Sequence, residues 1–155
     1  MSRTEPPRDA TISEFARAIA ETRQYLLSHH EPHEYHRCYT IRTDSRTVRL
    51  CARCSGIYPG LGIGLLAYGH GAGAGIPLVL VALLPLCALA DWTVTAFTGL
   101  NGYNSVRTLT GSLLGVAWGL GLARLVLSGD LVVVPVGLAY GSLAALLLWI
   151  RERGS

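Results

Sequence analysis

Lysine is absent from this chain of 155 residues, and charge of either sign becomes sparse after residue 55. The first 55 residues hold nine arginines and seven acids, whereas the remaining hundred hold four arginines and three acids. Half of all residues are hydrophobic, and the mean hydropathy is +0.38. These values exclude a typical soluble domain and predict a polar N-terminal segment followed by a membrane body. Because acids match the basic residues of the first segment, we expect no nucleic-acid partner.

Recognisable targeting signals are also missing. The first thirty residues lack a continuous apolar core and contain Pro6 and Pro7, so they do not resemble a secretory signal. Neither end of the chain fits a lipidation motif. We therefore expect the chain's own spans to place it in the membrane.

Four apolar stretches of about 20 residues follow the polar segment, and each is long enough to cross the hydrocarbon core. They predict an all-α membrane protein with a four-transmembrane-helix bundle over residues 56–155, preceded by a Cys/His metal-binding lobe at residues 29–55. Residues 1–28 are expected to hold a disordered tail and an amphipathic helix that begins at Thr11. The predicted spans are residues 56–74, 76–97, 109–127 and 131–150.

The distribution of arginines predicts the orientation of these spans, since basic residues favour the cytoplasmic side. The polar segment should be cytoplasmic, and four spans return the C-terminus, with Arg151 and Arg153, to the same side. We expect a multi-pass protein of the plasma membrane with both termini in the cytoplasm. Arg124 lies near the outer end of its span and is expected to reach toward Asp130.

Glycine recurs every four residues in two of the spans. One series is Gly56, Gly60 and Gly64, and the other is Gly111, Gly115 and Gly119. Such spacing gives a helix a smooth strip along which another backbone can approach closely. We therefore predict that the first and third spans pack through these strips.

Thiols and imidazoles are concentrated just before the first span. A four-ligand set of His36, Cys38, Cys51 and Cys54 has the donor types and spacing of small zinc sites, and a structural zinc is favoured over a catalytic one. His33 or His30 could replace His36, because spacing does not choose among them. A redox role and inert thiols remain the alternatives.

Polar residues also occur at the cytoplasmic ends of the second and third spans. Asp91 needs a partner at this depth, since an isolated charge in the bilayer costs roughly 3 kcal/mol or more. Arg107 is the expected partner. A ligand-binding site and a purely structural ion pair are both open interpretations, and the candidate ligand-binding residues are Asp91, Asn104, Arg107 and Thr110.

The string Leu50-Cys-Ala-Arg-Cys-Ser-Gly-Ile-Tyr-Pro-Gly60, together with Asp91-Trp92 and Asn104-x-x-Arg107-x-x-Thr110-Gly111, resembles the DUF2085 family of small bacterial and archaeal membrane proteins. The resemblance covers roughly residues 29–120. In that family a Cys-His pair precedes the CxxC by a longer gap, whereas here His36 comes before Cys38. The resemblance implies a membrane architecture and no particular reaction.

The function favoured by these patterns is binding or transport of a small polar or lipid-derived ligand beneath a zinc-stapled cytoplasmic lobe. The expected partners are the lipid bilayer and that ligand, and homo-oligomer formation is left open. Two enzymes are the alternatives: a membrane thiol-disulfide oxidoreductase that uses the CxxC, and a membrane zinc-dependent enzyme. No HExxH motif supports the second alternative.

Overall fold

The computed structural model describes Glu14, Arg17, Ile19, Ser28 and residues 30–44, 46–71 and 75–154. It divides the chain into two compact units, Met1–Cys51 and Ala52–Ser155. The predicted tail and the helix predicted to begin at Thr11 lie outside the described residues, apart from Glu14, Arg17 and Ile19, which are helical.

The described part of the first unit is a short 3-10 helix, Pro32–Arg37, followed by a β-hairpin. Strands β1, Cys38–Thr43, and β2, Arg46–Cys51, pair antiparallel. Both strands are rich in β-branched residues, which favour extended backbone, and this enrichment is the signal by which the hairpin could have been predicted. Arg49 on β2 lies over the ring of Tyr35, 4.0 Å from its centroid, and so links the 3-10 helix to the hairpin.

The hairpin buries little apolar surface. Cys38 is the only buried residue of β1, and Ile41 is 52% exposed. A two-stranded hairpin is marginally stable in water by itself. The hairpin therefore depends on contacts beyond its own two strands for its stability.

The second unit contains four helices: α1, Ala52–Gly69; α2, Leu78–Phe97; α3, Asn104–Ser128; and α4, Val133–Gly154. Within the described residues, α2, α3 and α4 are long and apolar enough to cross a membrane. Helix α1 has 18 residues, begins four residues before the predicted first span, and carries Arg53 and Ser55 in its first turn. Three of the four predicted spans therefore meet the length and hydropathy that crossing requires.

The two glycine strips form the tightest helix contact, as predicted. A Cβ atom built on Gly60 would overlap the carbonyl oxygen of Ser112, and one built on Gly115 would overlap that of Ile57. The other four glycines of the strips meet backbone atoms of the facing helix in the same way. Only glycine allows α1 and α3 to approach this closely.

Helix α4 is the most loosely packed of the four. None of its described residues is buried. One anchor is the Tyr140 hydroxyl, which donates a hydrogen bond to the Ala82 carbonyl of α2.

Candidate ligand cavity and thiol-imidazole cluster

A cavity of about 950 Å³ lies among the four helices of the second unit. Small-molecule sites commonly occupy several hundred Å³ and are mostly apolar with a few polar groups, so this cavity is at the upper end of that range. Among the described residues that line it, Arg53 is the one that carries a charge. The apolar wall includes Leu61, Val81, Pro85, Ala88, Trp92, Leu114, Ala117, Trp118 and Leu148.

Arg53 marks one end of this cavity. The lining residues of α2 run from Val81 to Trp92, and the Arg53 guanidinium meets α2 at the Asp91 carboxylate. At a rise of 1.5 Å per residue, the wall that α2 provides is about 16 Å long. The cavity is therefore a mostly apolar space with a charged group near Trp92.

The ion pair of Asp91 differs from the predicted one. Asp91 pairs with Arg53 of α1, and their side chains are 9% and 21% exposed. Arg107 instead donates to the carbonyl of Asn101 and, at 3.3 Å, to Oδ1 of Asn104. The partner of Asp91 thus comes from the first turn of α1 and is one of the two residues between the cysteines of the CxxC.

The remaining predicted ligand-binding residues are held in local contacts. Arg107 is 4% exposed and its hydrogen bonds fasten the loop that precedes α3. The Thr110 hydroxyl donates to the Val106 carbonyl of its own helix at 2.9 Å. Asp91, Asn104, Arg107 and Thr110 are not among the described residues that line the cavity, and Asp91 contacts that lining through its ion pair with Arg53.

In the first unit, the strand register places Cys38 directly opposite Cys51. Both residues are buried, and none of the four cysteines, all of which the structure describes, forms a disulfide. The Cys51 sulfur lies 3.4 Å from Nε2 of His30. Cys38 contacts the Ser28 hydroxyl at 3.3 Å.

His30 is held from its other side by a carboxylate. Its Nδ1 lies 2.9 Å from Oε2 of Glu34, and Arg37 donates to the second oxygen of Glu34 at 2.7 Å. The hydrogen bond with His30 lowers the pKa of the Glu34 carboxyl, partial burial opposes this, and the charge of Arg37 lowers the pKa further. Glu34 is therefore ionised at neutral pH and fixes the orientation of the imidazole.

The predicted zinc ligands occupy different places in the fold. Cys38 and Cys51 are cross-strand partners, His36 lies exposed on the 3-10 helix, and Cys54 lies in the first turn of α1. Within the part of the chain that the structure describes, no group of three His, Cys, Asp or Glu side chains is assembled as a metal site. Among the described residues, His30 contacts a cysteine, Cys51, and it is one of the alternatives that spacing left open.

A family model described as "predicted membrane protein (DUF2085)" matches residues 33–120. No curated protein and no solved structure matches the chain. The matched residues include the hairpin, α1, α2 and most of α3, and with them the Arg53–Asp91 pair and both glycine strips.

Proposed function

The chain belongs to the DUF2085 family of predicted membrane proteins, and we propose that its helical unit binds a lipid-derived amphiphile taken from the bilayer. The apolar part of the ligand occupies the cavity among the four helices, and its head group lies beside Arg53. In this proposal the hairpin unit faces the cytoplasm at the plasma membrane.

The observation that carries the proposal is the combination of cavity volume and lining. A cavity of about 950 Å³ lined mostly by leucine, valine, alanine and tryptophan favours a hydrocarbon occupant. A small polar ligand would leave most of this apolar wall without a partner. The structure therefore favours the lipid-derived alternative over the small polar one.

The head group is expected to carry acceptor oxygens. A guanidinium has five N–H donors and matches carboxylate or phosphate oxygens in a planar, bidentate geometry. Asp91 contacts one terminal nitrogen of Arg53, and it holds the guanidinium in place at the end of the cavity. The pair thus leaves donors for a ligand and limits the energetic cost of keeping a cation at this depth.

Binding can be measured through the protein's own tryptophans, because Trp92 and Trp118 both line the cavity. Purified protein in detergent is titrated with bromine-labelled palmitate, whose bromine atoms quench a tryptophan that they contact. We expect saturable quenching. Parallel titrations with a brominated lysophosphatidate and a brominated long-chain alcohol distinguish carboxylate, phosphate and uncharged head groups.

A matched pair of glycine variants separates cavity binding from partition into the micelle. Gly137 lines the cavity, and a Cβ built on it meets no atom within 4 Å, so Gly137→Phe places a ring there without a backbone clash. Gly62 on α1 has the same open surroundings and does not line the cavity. G137F should weaken binding about tenfold or more, which corresponds to at least about 1.4 kcal/mol, while G62F leaves it unchanged. Linear quenching, or equal effects of both variants, would contradict the proposal.

A further inference from the structure

We propose that the hairpin unit is a zinc site whose protein ligands are Nε2 of His30 and the thiolates of Cys38 and Cys51, with Glu34 as the residue that positions His30. This assignment replaces His36 with His30. It involves residues of the first unit only and is independent of amphiphile binding by the helical unit.

The first support is the separation between His30 and Cys51. Zinc binds sulfur at about 2.3 Å and imidazole nitrogen at about 2.0–2.1 Å, so two such ligands of a tetrahedral ion lie about 3.5 Å apart. The Cys51 sulfur and His30 Nε2 are 3.4 Å apart. These two atoms therefore already have the spacing that a shared zinc ion requires.

The second support is the contact behind the imidazole. A histidine that binds a metal through one nitrogen commonly donates its other N–H to a carboxylate, which fixes the tautomer and the ring orientation. Nδ1 of His30 donates to Glu34 at 2.9 Å, and this leaves the lone pair of Nε2 directed toward Cys51. The His30 side chain is only 11% exposed, so a protein contact sets its orientation.

The third support is the strand register. Directly opposed residues of an antiparallel pair have Cβ atoms about 4.5–5.5 Å apart, with their side chains on the same face. Cys38 and Cys51 are opposed in this way, and both are buried, at 6% and 4% exposure. Two thiolates on such positions can reach one ion.

The Cys38 sulfur is the donor that must move. It lies 3.3 Å from the Ser28 hydroxyl, and the proposal requires it to adopt a side-chain rotamer that reaches the ion bound by Cys51 and His30. Metal binding commonly supplies the free energy that assembles such a site, since preformed sites are rare without the ion. Zinc would then stabilise a hairpin that has almost no apolar core.

The other histidines near the strands fit the site less well. His33 is 75% exposed on its side chain and lies 3.5 Å from a carboxylate oxygen of Glu31. His36 is exposed on the 3-10 helix. His33 and His36 therefore serve as matched controls, since both are histidines close to His30 along the chain but have more exposed surroundings.

The test uses the full chain in detergent, reduced and freed of metal, and titrated with Co²⁺ and then with competing Zn²⁺. We expect one ion per chain and a thiolate-to-cobalt charge-transfer band. H30A should weaken zinc binding about 100-fold, and E34Q about 10-fold or more, as removal of a supporting carboxylate commonly does. H36A and H33A should leave the affinity within about threefold. Equal losses in H30A and H36A would overturn the assignment of His30.

X-ray absorption on the zinc-loaded wild-type protein keeps the proposal testable if H30A does not fold. At least two sulfur ligands and one imidazole ligand on the zinc ion support the site, whereas a zinc ion without an imidazole ligand overturns it. The proposal is also overturned if the reduced protein does not bind Co²⁺. It is overturned as well if diamide oxidises Cys38 and Cys51 to a disulfide at the same rate with and without Zn²⁺.

Discussion

At the scale of single residues, the Arg53–Asp91 pair connects the first turn of α1 to α2. Both side chains are largely buried, so removing one partner leaves a charge or a hydrogen-bonding group without compensation. Such a loss typically destabilises a protein by 3–5 kcal/mol, whereas removal of both partners together costs much less than the sum. The pair is therefore expected to act as one unit.

D91N and R53Q should each lower the free energy of unfolding by about 3 kcal/mol, and the double variant by less than the two losses added together. Unfolding is followed in mixed detergent micelles by tryptophan fluorescence. D130N provides the comparison, because Asp130 is 30% exposed and lies 3.6 Å from Arg124. Its effect should stay below about 1 kcal/mol. Additive losses in the double variant would show that the two residues do not depend on each other.

The sequence identified which residues needed partners more reliably than it identified the partners. It predicted that Arg124 reaches toward Asp130, and the pair is present. It paired Asp91 with Arg107 because their spans are consecutive, but the close approach of α1 brings Arg53 to Asp91 instead. It ranked His36 first by its nearness to Cys38, whereas the hairpin brings His30 to Cys51. Both choices depend on tertiary contacts that spacing along the chain does not encode.

At the scale of elements, the contact between α1 and α3 was predictable because its cause is local. Glycine at every fourth position creates a strip whatever surrounds it, and the two strips face each other in the fold. The hairpin was not predicted, although the β-branched residues between Thr40 and Val48 favour extended backbone. Helix boundaries differ by several residues from the predicted spans because polar first turns such as that of α1 can be helical without being apolar.

Adding one methyl group to the strip should separate α1 from α3. G60A and G115A each place a Cβ atom against the backbone of the facing helix, and this overlap is relieved only if the two helices move apart. We expect the free energy of unfolding of each variant to fall by about 1–3 kcal/mol, as it does in proteins with overpacked cores. G62A is the matched control, because a Cβ there meets no atom within 4 Å and alanine is the better helix former. The free energy of unfolding in mixed micelles should therefore be at least as high for G62A as for the wild type. Equal free energies of unfolding for G60A and G62A would argue against close packing.

The attachment of α4 depends on few contacts and should be sensitive to one hydroxyl. Y140F removes the hydrogen bond to the Ala82 carbonyl, a loss of about 1 kcal/mol. Amide hydrogen exchange of α4 should accelerate about fivefold, while exchange in α3 stays unchanged. Y68F removes a hydroxyl that bonds Ser128 at the exposed end of α3, and it should not affect α4. Unchanged exchange in Y140F would show that other contacts hold the helix.

At the scale of the whole molecule, the outward faces of α2, α3 and α4 carry exposed leucine and valine, as helices in lipid do. Family membership and three sufficiently apolar helices agree on a membrane protein. The sidedness of the chain depends on whether α1 also crosses the bilayer. Its 18 residues span about 27 Å, close to the roughly 30 Å of the hydrocarbon core.

Single cysteines introduced at three exposed or partly exposed positions, in a chain whose four native cysteines are replaced by serine, decide this question. D130C precedes α4, E152C lies in its last turn, and D44C lies in the turn of the hairpin. With four spans and the arginine-rich side inside, a membrane-impermeant maleimide added to intact cells should label D130C alone, because the other two positions are cytoplasmic. Permeabilised cells should show labelling of all three variants. If α1 does not cross, D44C and E152C lie on opposite sides and only one of them is protected. Labelling of E152C but not D130C in intact cells would reverse the orientation and place the arginines outside.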